Sequence, residues 1–114
     1  MIDYIASILQ ESGVEFEHSR ASYVAIGGGL VTQERIVVYG AHSKMVISRF
    51  DGSGYIELRI VSLKELPGNL LSRLEELGAI IDSAPGEPYR LSLRLRRVDK
   101  DLVRSLAIYI GGGR

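Results

Sequence analysis

The chain has 114 residues, 46% of them hydrophobic and 25% charged, which suits one domain with one buried core. Fourteen basic residues balance fourteen acidic ones, which argues against a general polyanion coat. The absence of cysteine excludes disulfide scaffolds, thiolate zinc sites and cysteine nucleophiles. No apolar run approaches the ~18–20 residues that cross a bilayer, and no basic stretch leads into an apolar one at the start. The expectation is therefore a cytoplasmic protein without a membrane partner.

Residues 2–12 read as a helix. Ile2, Ile5, Ala6 and Leu9 recur at helical spacing, and Gly13 offers the left-handed stop. Residues 14–18 alternate as a short strand, with Val14, Phe16 and His18 on one side. Residues 22–26 read as a second strand ending in Gly27-Gly28-Gly29, and 30–34 as a loop. Strands come next at 35–39 and 44–50. Asp51-Gly52-Ser53-Gly54 is the clearest hairpin signal, because its glycines can take positive φ. The strand at 55–61 returns with Ile56, Leu58 and Ile60 opposite Tyr55, Glu57, Arg59 and Val61.

Ser62 is placed to cap a helical turn that Pro67-Gly68 interrupts or restarts. Leu70, Leu71, Leu74 and Leu77 then form a stripe that Gly78 can terminate. A short strand at 79–82 and a Pro- and Gly-containing turn lead into residues 89–97. Asp99 suits the cap of a last helix with Leu102, Val103, Leu106, Ala107 and Ile110 on its apolar face. Gly111–Gly113 release the C-terminus. This order, α-β-β-β-β-β-α-β-β-α, predicts one α+β domain over residues 1–114, an antiparallel meander of six to seven strands with three flanking helices. If helices cover one face of that sheet, the other must meet water, a ligand or another subunit.

The 89–97 stretch carries the functional expectation. Alternation puts Leu91, Leu93 and Leu95 on one face and Arg90, Ser92, Arg94 and Arg96 on the other. Between Tyr89 and Arg104 six basic residues face two acidic ones, a local excess of four. Tyr55 and Arg59 share a face on the 55–61 strand, and Arg49 and Phe50 end the strand that turns back towards Tyr55. Arg forks onto phosphate and stacks on bases, while Tyr and Phe offer flat platforms, the two elements that single-strand binders combine. The expected nucleic-acid contacts are Arg49, Phe50, Tyr55, Arg59, Tyr89, Arg90, Arg94 and Arg96. The competing account pairs these arginines with the protein's own Glu15, Glu17 and Glu57 across strands.

Other chemistry has less support. The only histidines are His18 and His42, with no His-x-His or His-Glu-x-x-His spacing, so a metal site would have to assemble from scattered residues. Ser43 beside His42 is explained by turn chemistry. The three glycines at 27–29 lack the Lys-Ser/Thr of a phosphate loop. The expectation is no enzyme, no metal and no cofactor.

Eleven of the fourteen basic residues are Arg, and Asn69 is the only asparagine, a balance that suits a hot-living source. With its size, element order, cysteine-free Arg-biased composition and the Tyr/Arg faces at 55–59 and 89–97, the chain resembles the ThermoDBP-related single-stranded DNA-binding proteins of thermophilic archaea. That resemblance implies a helix-flanked antiparallel sheet, self-association as a dimer or tetramer, and sequence-tolerant binding of single strands, DNA ahead of RNA, in a basic aromatic cleft or between subunits. The helix faces at 2–12 and 99–110 are then candidate subunit contacts as well as core. The same element order is also similar to secretion-chaperone-like domains, which implies a dimeric protein-interaction module without a nucleic-acid role.

Overall fold

The computed structural model describes residues 1–112, in the order α1 (Ile2–Glu11), β1 (Glu17–Val24), β2 (Leu30–Tyr39), β3 (Ser43–Phe50), β4 (Ile56–Ser62), α2 (Gly68–Glu76), β5 (Ile80–Asp82), β6 (Tyr89–Leu95) and α3 (Lys100–Gly112). The strands form one antiparallel sheet in the order β1-β2-β3-β4-β6-β5. The expected class, α+β with an antiparallel sheet and three helices, is the one observed.

Register explains the layering. Ile36 lies beside Ile47, which lies beside Leu58, which lies beside Leu93; one step along, Val38, Met45, Ile60 and Leu91 make a second row. Directly paired residues share a face, so both rows point the same way. Ile2, Ile5, Ile8 and Leu9 of α1, Leu70 and Leu74 of α2 and Leu102, Val103, Leu106, Ala107 and Ile110 of α3 are buried with them in one core. The apolar faces of α1 and α3 are thus consumed by the chain itself. What these helices leave exposed of large apolar side chains is Tyr4 on α1 and Ile108 and Tyr109 on α3.

Three local readings change. The strands expected at 14–18 and 22–26 are one strand, β1, because Ser19, Arg20 and Ala21 keep the alternation and pair with Arg35, Glu34 and Gln33. Residues 30–34 are not a loop. Gly27, Gly28 and Gly29 take φ of 97, 87 and 94° and fold the chain straight back, so Leu30 pairs with Val24 and β2 starts at once. Ser62 caps no helix: it ends β4, buried, with its hydroxyl turned onto the Lys64 backbone, and α2 starts instead at Gly68 behind Pro67.

The C-terminal glycines also differ from expectation. Gly111 and Gly112 extend α3, because a bare Cα at Gly111 lets the helix close on Val14 and Val38; a Cβ there would stand 2.8 Å from Val14 Cγ1. Gly113 lies outside the described residues. No helix among those described is long and apolar enough to cross a membrane.

Candidate nucleic-acid interface

The face of the sheet turned away from the helices carries the second set of alternate residues. Across it run Tyr39, Lys44, Val61, Arg90 and Asp82 in one row, and Glu17, Val37, Val46, Arg59, Ser92 and Ile80 in the next. Ser19, Arg35, Ser48, Glu57 and Arg94 form a third. Arg35, Lys44, Arg59, Arg90 and Arg94 are all exposed, and no helix roofs them. Five cations against Glu17, Glu57 and Asp82 leave a modest positive excess on an apolar background of valines.

The arginines differ in what holds them. The Arg94 guanidinium lies over the Tyr55 ring, 4.9 Å from its centroid, within the range of a cation–π contact. Arg59 donates through Nε and Nη2 to Glu57 Oε1, at 3.2 and 2.9 Å. Among the described residues Arg35 and Arg90 have no carboxylate within ion-pair distance, although Asp82 lies opposite Arg90 in register. Of the arginines expected to contact nucleic acid, Arg59 is therefore already partnered by the protein's own glutamate. Two shallow depressions, of about 410 and 370 Å³, flank Ile80: one beside Arg59, Val61 and Arg90, the other beside Glu57 and Arg94.

Phe50 and Tyr55 fall on this face, Phe50 exposed and Tyr55 half-buried. Arg96 lies just past the end of β6, exposed in a bend and outside the ladder. Two expected contacts point the other way. Arg49 alternates onto the helix side, and its Nε and Nη2 both donate to Ser53 O, at 3.2 and 3.0 Å, bracing the Asp51–Gly54 turn. Tyr89 pairs with buried Ser62 and packs against the core. Its hydroxyl is buried and has no hydrogen-bond partner among the described residues, and burial, with the charges of Glu65 and Glu75 nearby, pushes it above the usual phenol range. Neither side chain reaches the open face. Arg35 and Lys44 do reach it, and period-2 alternation through β2 and β3 would have named both had β2 been read as one strand from Leu30.

Neither a protein-family model, nor a curated protein, nor a solved structure matches this chain. Its function has to be read from the shape and charge of its own surfaces.

On the opposite side, where the core ends, Asp3, His18 and Glu34 bring one ligand atom each within 4.8 Å of one another. Sequence spacing gives no hint of this, since α1, β1 and β2 supply one residue each. Glu34 Oε2 is hydrogen-bonded to His18 Nε2 at 3.1 Å and Oε1 to Arg20 Nη1 at 2.9 Å, while Arg20 Nη2 reaches Asp51 at 2.9 Å. The guanidinium already neutralises the carboxylate a cation would need, so the cluster is accounted for as an ion-pair network tying β1 to the β3–β4 turn.

Proposed function

We propose that this protein binds single-stranded nucleic acid, DNA ahead of RNA, on the uncovered face of its sheet, without catalysis and without a cofactor. The observation that carries the reading is the cation–π pair of Arg94 and Tyr55 on that face, with Arg90 and Arg35 nearby and, among the described residues, no carboxylate within ion-pair distance of either. An arginine held over an aromatic ring is preorganised to meet phosphate, and an adjacent base can stack beside it on the aromatic surface. Phe50 extends the aromatic surface. Arg90 and Arg94 serve as phosphate ligands, Arg59 once it leaves Glu57, and Arg96 at the end of β6. Affinity then comes from counterion release and stacking, with little dependence on base sequence.

Fluorescence anisotropy of labelled oligo-dT at two salt concentrations tests this. The expected result is binding that weakens steeply with salt and is reduced when Arg90 and Arg94 are replaced by Ala. Binding indifferent to salt, or unaltered in that double variant, overturns it. A second reading, a protein-interaction module, is favoured by exposed Val61, Leu63 and Ile80, with Leu63 and Ile80 each more than 70% exposed. That reading gives no oligonucleotide binding at any salt concentration.

A further inference from the structure

The β1–β2 hairpin runs past the rest of the sheet. β3 covers β2 only from Gln33 onwards, so residues 22–24 and 30–32 pair with each other, and the β3–β4 turn adds one backbone bond, from the Asp51 N–H to Thr32 O at 2.9 Å. All eight residues of β1 are exposed; Val24 and Leu30 are each 74% exposed, and Ile26 at the tip is fully so. From Ala21 to Gln33 thirteen consecutive residues carry no charge, in a chain that is one-quarter charged. A polyanion finds nothing to bind there, and an isolated two-stranded ribbon is marginally stable in water.

The outer edge of β1 is open as well. The Ala25 N–H donates to Gly29 O, so residue 25 directs its backbone groups inward. Alternation then sends those of Tyr23, Ala21, Ser19 and Glu17 inward too, and those of Val24, Ser22, Arg20 and His18 outward. Beyond Ala21 this edge has no proline, lysine or bulge to block pairing. The opposite edge, β5, is three residues long and ends in Asp82, a guarded edge by comparison.

We infer that the exposed β1 edge pairs with β1 of a second copy of this chain, antiparallel about a two-fold axis at Ala21, joining two sheets into one. Unpaired backbone donors and acceptors in strand geometry select another strand as occupant. Charge selects the register. A two-fold axis at Arg20 sets that guanidinium against its own copy. An axis at Ala21 instead sets Arg20 opposite Ser22, His18 opposite Val24 and Tyr23 opposite Ser19, with no like charges facing. The patch is self-complementary, as an isologous contact requires. The two open faces then look the same way and form one surface, a consequence that rests on the proposed function, whereas the pairing itself does not.

The chain has no cysteine, so a single engineered one is a clean probe. Ala21→Cys places two thiols across the axis in a non-hydrogen-bonded pair, where Cα atoms approach to about 4.5 Å, within disulfide range. Under mild oxidation it is expected to cross-link at least tenfold faster than Glu87→Cys in the distant 83–88 turn. Sedimentation of the unmodified chain should give twice the 12.5 kDa chain mass. Ser22→Pro removes only an outward N–H, and Val24→Lys adds an edge charge; each should raise the dimer dissociation constant at least tenfold with the circular dichroism unchanged. Arg94→Ala should leave the mass alone. A monomer at every concentration, a dimer intact in both edge variants, or equal cross-linking of the two cysteines overturns the inference, even if oligo-dT binding is retained.

Discussion

The guanidinium of Arg94 lies over the ring of Tyr55, 4.9 Å from its centroid, while one register pair along the same face Arg59 is turned back onto Glu57. Two arginines of one sheet surface are thus set for different work. Arg94 keeps its donors available at the rim of an aromatic platform; Arg59 must first break two hydrogen bonds. Replacing Arg94 with Ala should therefore weaken oligo-dT binding by about 1 kcal/mol, roughly fivefold in Kd, and lower the salt slope by about 0.7, the share of one single-strand phosphate. Fluorescence anisotropy over a salt series measures both.

Glu57→Gln is the converse experiment. It removes the charge that holds Arg59 while keeping the side chain's shape, and Arg59 becomes a further phosphate ligand. Binding should tighten severalfold and the salt slope steepen by about 0.7. The same titration reads the change, and an unaltered slope would mean that Arg59 lies outside the bound strand's path.

Tyr89 separates the fold from the site. Its ring faces the core and its hydroxyl is buried without a partner among the described residues. Tyr89→Phe removes an unsatisfied polar atom and should leave the unfolding free energy unchanged or raise it by up to about 1 kcal/mol, with oligo-dT affinity unaffected. Urea denaturation and one binding isotherm check the two halves.

The strand pattern made most of this legible. Leu91, Leu93 and Leu95 needed a core and have one, and Tyr55, Arg59, Arg90 and Arg94 share the uncovered face that alternation gave them. The misassignments occur where alternation gives no sign of where a strand ends. Tyr89 belongs to the leucine parity of β6, yet its position at the strand's start and its type suggested an open platform. Arg49 has the right chemistry, but the nearby turn carbonyl of Ser53 takes its donors. Residues 30–34 carry weak alternation and come directly after three glycines, so local pattern suggested a loop where pairing with β1 makes a strand. Glu57 is the rival partner that strand alternation offers the arginines, and it takes one of them, Arg59.

Asp99 ties the two helices on the far side. Its Oδ1 accepts the Leu102 N–H at 3.1 Å, capping α3, and its Oδ2 is bound by Arg73 of α2. Burial pushes this carboxyl up, but the Leu102 N–H and the Arg73 guanidinium outweigh it, and the net position is below the usual carboxylate value. A depressed folded value means the stabilisation is fully present above the unfolded value and is lost as pH falls through the folded one. Asp99→Ala should cost about 1 kcal/mol at neutral pH, the usual worth of such a cap. Asp99→Asn keeps an acceptor and loses the charge, so its deficit should begin to shrink below about pH 4, the unfolded carboxyl's value, and go on shrinking as pH falls through the lower folded one. Thermal unfolding from pH 7 down to pH 3 follows both variants.

Gly40 closes the β2–β3 turn against the end of α3. Its N–H donates to Ser43 O at 2.8 Å, and a Cβ at this position would stand 2.1 Å from the carbonyl oxygen of Ile110. That oxygen is backbone near the end of a helix whose Ile110 side chain is buried, so neither partner can swing aside as a flexible side chain would. Gly40→Ala should therefore destabilise by about 1–3 kcal/mol through overpacking. Gly54 is the control: nothing lies within 4 Å of its added Cβ and its φ is not positive, so Gly54→Ala should be neutral or stabilise by up to about 1 kcal/mol by restricting the unfolded chain. Urea midpoints of the two single variants, measured side by side, decide whether the turn and the helix end are in the contact described.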